Sequence, residues 1–325
     1  MKVNFIVEDF LFFKYVGCAT AAKMLFSELN TFGDLTLLWN SKDKECDLVH
    51  FHTFGPMALL YKKLSGGIKV ITAHSTPRLN EKNLAFSSVI NAFYPSIYRS
   101  FDHIIAISER CRGEVIEMAP AVPCTLIPNG IDISPFHRYP ERRIRFRKRF
   151  SIKDDQRVVL TVAQQTPRKG IFDFLDVAQK CPDVMWVWVG GFPYSFFSKE
   201  FSRIQKMKRS SRANVIFSGF IPDITEAYNG ADIFFMPSFA EGMSIVLLEA
   251  MANELPCIVR DIPEFREIFK DDGLYFKTID EVATIVSNQE RLQKVVSLSK
   301  RLVHNYDIHR IAERHRILYK ELINR

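Results

Sequence analysis

The sequence predicts an α/β protein of two doubly wound domains, and three observations predict it. Short, almost continuous apolar runs recur along the chain, as parallel strands covered on both faces require. Each run is followed by a turn and a segment of helical periodicity, so strands and helices alternate. The alternation breaks once, between Ile133 and Lys153, where Pro135, Pro140 and a basic run interrupt it, and then starts again. A length of 325 residues, 47% hydrophobic and 25% charged, suits two domains that each bury a core.

In the first half, Val3–Val7, Leu35–Trp39, Leu48–Phe51, Lys69–Thr72, His103–Ile107 and Cys124–Ile127 read as strands. Helices are expected near 17–30, 55–64, 82–100 and 108–118. After the break, Val158–Val162, Met185–Val189, Val215–Phe217, Ile233–Met236, Cys257–Val259 and Leu274–Phe276 read as strands. Helices follow near 170–180, 198–209, 223–229, 244–252 and 281–303. The tail carries Ile308, Ile311, His315, Leu318 and Leu322 at roughly helical spacing. The domains are therefore expected at 1–150 and 151–305, with a closing helix over 306–325 that can return to the first. Two Rossmann-like sheets facing a cleft would bind ligands at the carboxyl ends of their strands.

What is missing narrows the function. There is no Gly-x-Gly-x-x-Gly for a dinucleotide and no Gly-x-x-x-x-Gly-Lys-Ser/Thr for an NTPase. No Asp-x-Asp pair or cluster with metal-ligand spacing occurs; His50 and His52 flank Phe51 and share a face, but two histidines are a weak metal signal. The six cysteines are scattered without a Cys-x-x-Cys, which reads as free thiols in a reducing compartment. No apolar stretch is long enough to span a bilayer, and the apolar start reaches Glu8-Asp9 too soon for a signal peptide. A cytoplasmic protein is the expectation.

The balance of 44 Lys+Arg against 37 Asp+Glu, +7 net, favours anionic partners. Two runs concentrate it. Arg142 to Arg149 holds six cations in eight positions, and Lys199 to Arg212 holds another six with one acid, after Phe192, Tyr194, Phe196 and Phe197. Either run is a solvated helix face or a contact for nucleic acid, acidic lipid or a phosphorylated ligand. A nucleic-acid partner is not expected, because it leaves the following motif without a purpose.

That motif is Ala240-Glu241-Gly242-Met243-Ser244-Ile245-Val246-Leu247-Leu248-Glu249-Ala250-Met251-Ala252. Glu241 lies in a loop between a strand and a helix that starts near Ser244, where backbone N–H groups can hold a phosphate. Glu249 lies within an otherwise apolar helix, where a carboxylate is costly to bury without hydrogen-bond donors. Ligand hydroxyls would be such donors; a capping residue and a helix-face glutamate are the alternative.

Glu241 and Glu249, with seven residues between them and Ala-Met-Ala following, resemble the Glu-x7-Glu motif of the retaining GT-B glycosyltransferases of family 4. Pro128-Asn129-Gly130-Ile131-Asp132, Lys169-Gly170, Asp47 to His52 and Ala73-His74-Ser75 are similar to further elements of that family, in its order. The resemblance implies a GT-B fold and a nucleotide-sugar donor, without a metal. It implies that Glu241 bonds sugar hydroxyls, Glu249 the ribose hydroxyls, and that Lys169 neutralises the diphosphate with the helix start at Ser244–Ile245. Gly242 and Met243 complete that loop, His74 would lie near the reacting centre, and Gly17 would let backbone approach phosphate or acceptor. Three positions depart from the family. Gln164 stands where an Arg is usual, so Arg168 could supply the charge; Gly242-Met243-Ser244 replaces Gly-Phe-Gly or Gly-Phe-Pro; and Gly17 is single where two adjacent glycines are common.

A narrower likeness concerns the acceptor. Gln164 to Gly170, Val259-Arg260-Asp261-Ile262-Pro263, His50 to Pro56 and Ala73 to Thr76 resemble bacterial diacylglycerol glycosyltransferases. That implies transfer of glucose or galactose to diacylglycerol or glycosyl-diacylglycerol at the inner face of the cell membrane; the alternative is a polyprenyl-linked or soluble saccharide acceptor. Asn83 to Tyr98 is uncharged and carries Phe86, Phe93 and Tyr94, which suits an interfacial helix. Arg142, Arg143, Arg145 and Arg147 would add attraction to anionic lipid.

Overall fold

The computed structural model describes residues 1–8, 17–81, 87–192 and 200–324. The chain divides into two compact units, among the described residues 1–132 with 305–324, and 133–304.

The first unit holds one parallel sheet of β1 (Lys2–Ile6), β2 (Thr36–Trp39), β3 (Leu48–Phe51), β4 (Ile68–Ala73), β5 (His103–Ala106) and β6 (Cys124–Leu126), in the order β2-β1-β3-β4-β5-β6. Its helices are α1 (Gly17–Leu29), α2 (Pro56–Leu64), α3 (Pro77–Glu81), α4 (Ser87–Asn91), α5 (Tyr94–Tyr98) and α6 (Glu109–Met118). Of the predicted helix over 82–100, residues 82–86 lie outside the described residues and the rest forms α4 and α5, the latter with Pro95 in its first turn, where proline needs no N–H partner. The switch in strand order lies between β1 and β3, so ligands of this sheet belong at their carboxyl ends.

The second unit begins with α7 (Pro140–Arg149) and holds a second parallel sheet, β7 (Val158–Val162), β8 (Met185–Val189), β9 (Val215–Gly219), β10 (Ile233–Met236), β11 (Cys257–Arg260) and β12 (Leu274–Phe276). Its strand order is β12-β11-β10-β7-β8-β9, so the switch point lies between β7 and β10. The helices are α8 (Ile171–Lys180), α9 (Phe201–Arg209), α10 (Ile224–Gly230), α11 (Ile245–Ala252), α12 (Pro263–Phe269), α13 (Ile279–Ser287) and α14 (Gln289–Val303). Trp186, Trp188, Phe174, Phe234 and Phe235 fill its core.

The unit boundary falls at 132, not at 150, and the break over 133–153 is not a bare linker. α7 packs on α10, burying Phe146 and Arg147. Arg147 donates to the carbonyls of Lys153, Asp154, Gln156 and Gly230 and to Asp232 at 2.8 Å, so its charge is satisfied inside the fold.

After α14 the chain returns to the first unit as α15 (Ile308–Ile323), which packs on α1. Ile311, Ala312, Leu318, Tyr319 and Leu322 join Val3, Phe5, Leu25 and Leu48 in one core. The amide of Ile131 donates to Tyr306 O at 2.9 Å and that of Ile308 to Ile131 O at 2.8 Å. Gly130 must be small here, because a Cβ would come within 2.9 Å of Ile311. The Pro128–Asp132 element is thus where the closing helix docks.

Candidate functional site

At the switch point of the second sheet, the loops after β7 and β10 are stitched together. The amide of Phe239 donates to Arg168 O at 2.8 Å, and Arg168 Nη1 donates to Ala240 O at 2.6 Å. Gly170 precedes α8 with φ 76°, and a Cβ there would meet Pro237 O at 2.3 Å, so only glycine lets the loops approach. From the β11 end, Arg260 Nε donates to Pro237 O at 3.0 Å, and its guanidinium covers the Phe239 ring.

This stitching brings Lys169 to Glu241. Lys169 Nζ donates to both carboxylate oxygens, at 2.6 and 2.9 Å. Burial raises the cost of the Glu241 charge, but Lys169 and Arg168 outweigh it and hold the carboxyl below its usual range. Burial also draws the Lys169 ammonium below its usual range, against the pull of Glu241. Two of the three ammonium N–H groups are engaged, leaving one for a further acceptor. Arg168 is buried with its guanidinium 3.5 Å from Glu241, so it adds positive charge to the same carboxylate while bracing the loop. Gln164 is half-buried in the loop after β7.

α11 begins next to this pair. Ser244 at its N-cap makes no side-chain cap; its hydroxyl is spent on Met236 Sδ at 3.3 Å. The first-turn N–H groups therefore lack that partner. Gly242, Met243 and Ile245 are half-buried along this entrance and Ser244 is buried. Glu249 lies about one turn into α11. Its Oε2 accepts from Tyr228 Oη at 2.6 Å, and among the described residues no protein donor reaches Oε1. Burial raises the Glu249 carboxyl above its usual range and Tyr228 partly offsets this. The sequence argument asked for donors to Glu249 and assigned them all to a ligand; Tyr228, on α10, is the one it missed.

A second missed residue is Lys208. From the second basic run it donates to Gln165 Oε1 at 2.9 Å and lies over the Phe217 ring at 4.8 Å. Gln165 Nε2 in turn donates to Gly190 O at 2.7 Å, so one cation of that run braces the loop after β7.

In the first unit, His52 follows β3 and His74 follows β4, with His52 Nδ1 3.0 Å from His74 Nε2. Burial lowers His74 to about 3. Gly17 opens α1, and a Cβ there would meet no atom of the described residues within 4 Å.

The expected membrane residues separate. Phe86 lies outside the described residues. Phe93 is 61% exposed, but Tyr94 is buried, its hydroxyl bonded to Ser75 Oγ at 2.8 Å. Arg143 and Arg147 pair with Asp232 and Arg145 with Glu226, while Arg142 covers the Tyr139 ring. Arg143, Arg145 and Arg147 thus serve the packing of α7 on the segment around α10, and Arg147, being buried, is not part of a free basic patch. The exposed apolar stripe is instead on α2, where Met57, Leu60 and Leu64 lie one turn apart with Lys63 exposed among them. Phe54 leads into α2 and packs on Tyr94 and Tyr98 of α5.

Two parallel sheets of this order, with an acid–base pair and an open helix start at one switch point, define a GT-B nucleotide-sugar enzyme class. The chain belongs to the glycosyltransferases of group 1 and family 4: the profile "Glycosyl transferases group 1" matches residues 142–297 and "Glycosyltransferase Family 4" residues 26–135. An alpha-galactosylglucosyldiacylglycerol synthase of Streptococcus pneumoniae is 27% identical over 70% of this chain and 63% of its own length. A processive diacylglycerol alpha-glucosyltransferase of Acholeplasma laidlawii is 29% identical over 78% of this chain and 79% of its own. The chain thus spans less than two thirds of the first of these relatives. Among solved structures, Anabaena HepE in complex with UDP-glucose matches with a TM-score of 0.83 over 99% of this chain and 100% of that one, at 17% identity, a likeness of fold.

Proposed function

We propose that the chain is a retaining hexosyltransferase that moves glucose or galactose from a UDP-sugar to diacylglycerol or a glycosyl-diacylglycerol. The observation that carries this reading is the Lys169–Glu241 pair set beside the uncapped start of α11. A departing nucleoside diphosphate places negative charge on phosphate oxygens. The free N–H of Lys169 and the first-turn amides of α11 would stabilise it without reorganising and without a metal. Glu241 would accept from sugar hydroxyls, and Glu249 Oε1 from the ribose hydroxyls. Gly242, Met243, Ser244 and Ile245 would line the phosphate. His74 would bond a sugar or acceptor hydroxyl.

In the reaction, the acceptor hydroxyl oxygen bonds to the sugar C1 as the C1–O bond to phosphate breaks on the same face. The hydroxyl proton passes to the departing phosphate. The diacylglycerol acceptor is supported by the names of the two relatives. Attachment to an anionic bilayer is supported by the exposed α2 stripe, and no helix among the described residues is long and apolar enough to cross a membrane. An amphipathic surface helix binds by apolar burial plus attraction of its lysines to acidic lipid.

Calorimetric titration with UDP, UDP-glucose and UDP-galactose tests the donor site. Binding that persists in a chelator and is lost in Lys169→Ala and Glu249→Ala is expected. Equal affinity in wild type and both variants would place the donor elsewhere.

A further inference from the structure

The first unit gathers four histidines near the carboxyl ends of β3 and β4: His50, His52 and His315 are buried and His74 is half-buried. His50 is held at both nitrogens, with Nδ1 2.6 Å from Tyr319 Oη and Nε2 2.7 Å from Thr72 Oγ1. His315 Nδ1 donates to Ile311 O at 2.9 Å. The His52 ring lies 4.1 Å from His50, and it stacks on Phe5 and on His74 at 5.2 and 5.3 Å. Its Nδ1 meets His74 Nε2, while its Nε2 is buried without a hydrogen-bond partner among the described residues. Burial keeps all four rings neutral, with neighbouring imidazoles adding to it at His50, His52 and His74 and Arg314 at His315.

A neutral imidazole carries one N–H and one lone pair, so a single proton lies between His52 and His74. If His74 donates it from Nε2, the His52 proton must sit on Nε2, as a buried N–H with no acceptor. If His52 donates from Nδ1, only a bare lone pair is buried at its Nε2. Orphaned N–H groups are the rarer and costlier outcome. The second arrangement therefore prevails, and it places the His74 proton on Nδ1.

We infer that His52 is a positioning residue that holds His74 in its Nδ1–H form, as a hydrogen-bond donor to a substrate oxygen and not as a base. His50, clamped by Thr72 and by Tyr319 of α15, backs His52 through ring contact, so the closing helix supports the same arrangement. The inference rests on the proposed function only for the identity of the oxygen: a hydroxyl of the sugar or acceptor.

The test is long-range proton–nitrogen NMR on the full chain labelled at histidine ring nitrogens, with His74 assigned by His74→Gln. Wild type should show His74 protonated at Nδ1 alone. His52→Asn keeps an N–H donor near the Nδ1 position and should retain that form, with transfer within about threefold. His52→Asp offers acceptors only and should move the His74 proton to Nε2, with kcat falling about a hundredfold, as for loss of one oriented donor, and donor KM changing little. Should His52→Asp not fold, wild type and His52→Asn still decide. A wild-type His74 protonated at Nε2, or an unmoved proton in folded His52→Asp, overturns the inference. The Nδ1–H form in a protein that transfers no sugar would support the positioning and remove the proposed function instead.

Discussion

Lys169 and Glu241 meet through one ammonium that donates to both carboxylate oxygens, and Gly170 is the residue that lets them. The side chains are 13% and 6% exposed, so each charge depends on the other more than a surface pair would. Lys169→Met is expected to cost about 3 kcal/mol, the low end for a broken buried pair, because Arg168 remains near Glu241. Turnover should fall by at least about a hundredfold through lost charge stabilisation of the leaving group. Urea unfolding and initial rates check the two separately. Gly170→Ala should lose stability through both its positive φ and the Pro237 clash, while leaving every charged group in place.

Tyr228 sets the state of Glu249. Tyr228→Phe removes the bond that lowers the Glu249 carboxyl, so its already raised pKa should rise further. If the ionised carboxylate holds the ribose, donor binding weakens as pH falls through that pKa. The acid limb of the UDP-binding profile should therefore move to higher pH in Tyr228→Phe, with donor KM raised and kcat little changed. An acid limb in the same place as wild type would separate Glu249 from the donor.

The buried histidines predict an acid weakness in the fold. Their folded values lie below 6.5, at about 3 for His74 and about 4 for His315. The unfolded chain therefore binds more protons, and stability is full above pH 6.5 and falls as pH drops towards 4. Each such histidine contributes about 1.4 kcal/mol per pH unit within that window. Urea midpoints at a series of pH values through the window should drop steeply, and less steeply in His315→Leu. A flat profile would contradict the neutral cluster.

Membrane contact should follow α2 and not α7. Leu60→Asp with Leu64→Asp is expected to release the protein from anionic liposomes with little change in unfolding midpoint, since both residues are half or more exposed. Arg142→Gln should leave sedimentation unchanged. Arg147→Ala should instead cost about 3–5 kcal/mol, because it leaves Asp232 and several carbonyls unpaired.

Much of this was legible in the sequence, for reasons that particular residues make plain. All twelve strands fall on the predicted apolar runs, several to the residue, because a strand buried on both faces has few other ways to be written. The sequence placed Glu241 in a strand–helix loop and Glu249 inside an apolar helix, and both lie there, whereas Lys169 was singled out only through the family resemblance. The α7 segment was not, because Arg147 looks like any surface cation until Asp232, 85 positions away, is folded against it. Tyr228 and His52 were hidden for the same reason: their roles depend on partners supplied by other elements. The interfacial helix failed at Tyr94, whose aromatic ring reads the same whether it faces lipid or Ser75.

The most direct measurement is transfer of labelled hexose from UDP-glucose and from UDP-galactose on anionic liposomes, with and without diacylglycerol, read as label in the organic extract. Label that requires diacylglycerol, and that vanishes in Glu241→Ala, is the predicted result. No organic label from either donor, on liposomes that bind the protein, would contradict a diacylglycerol acceptor.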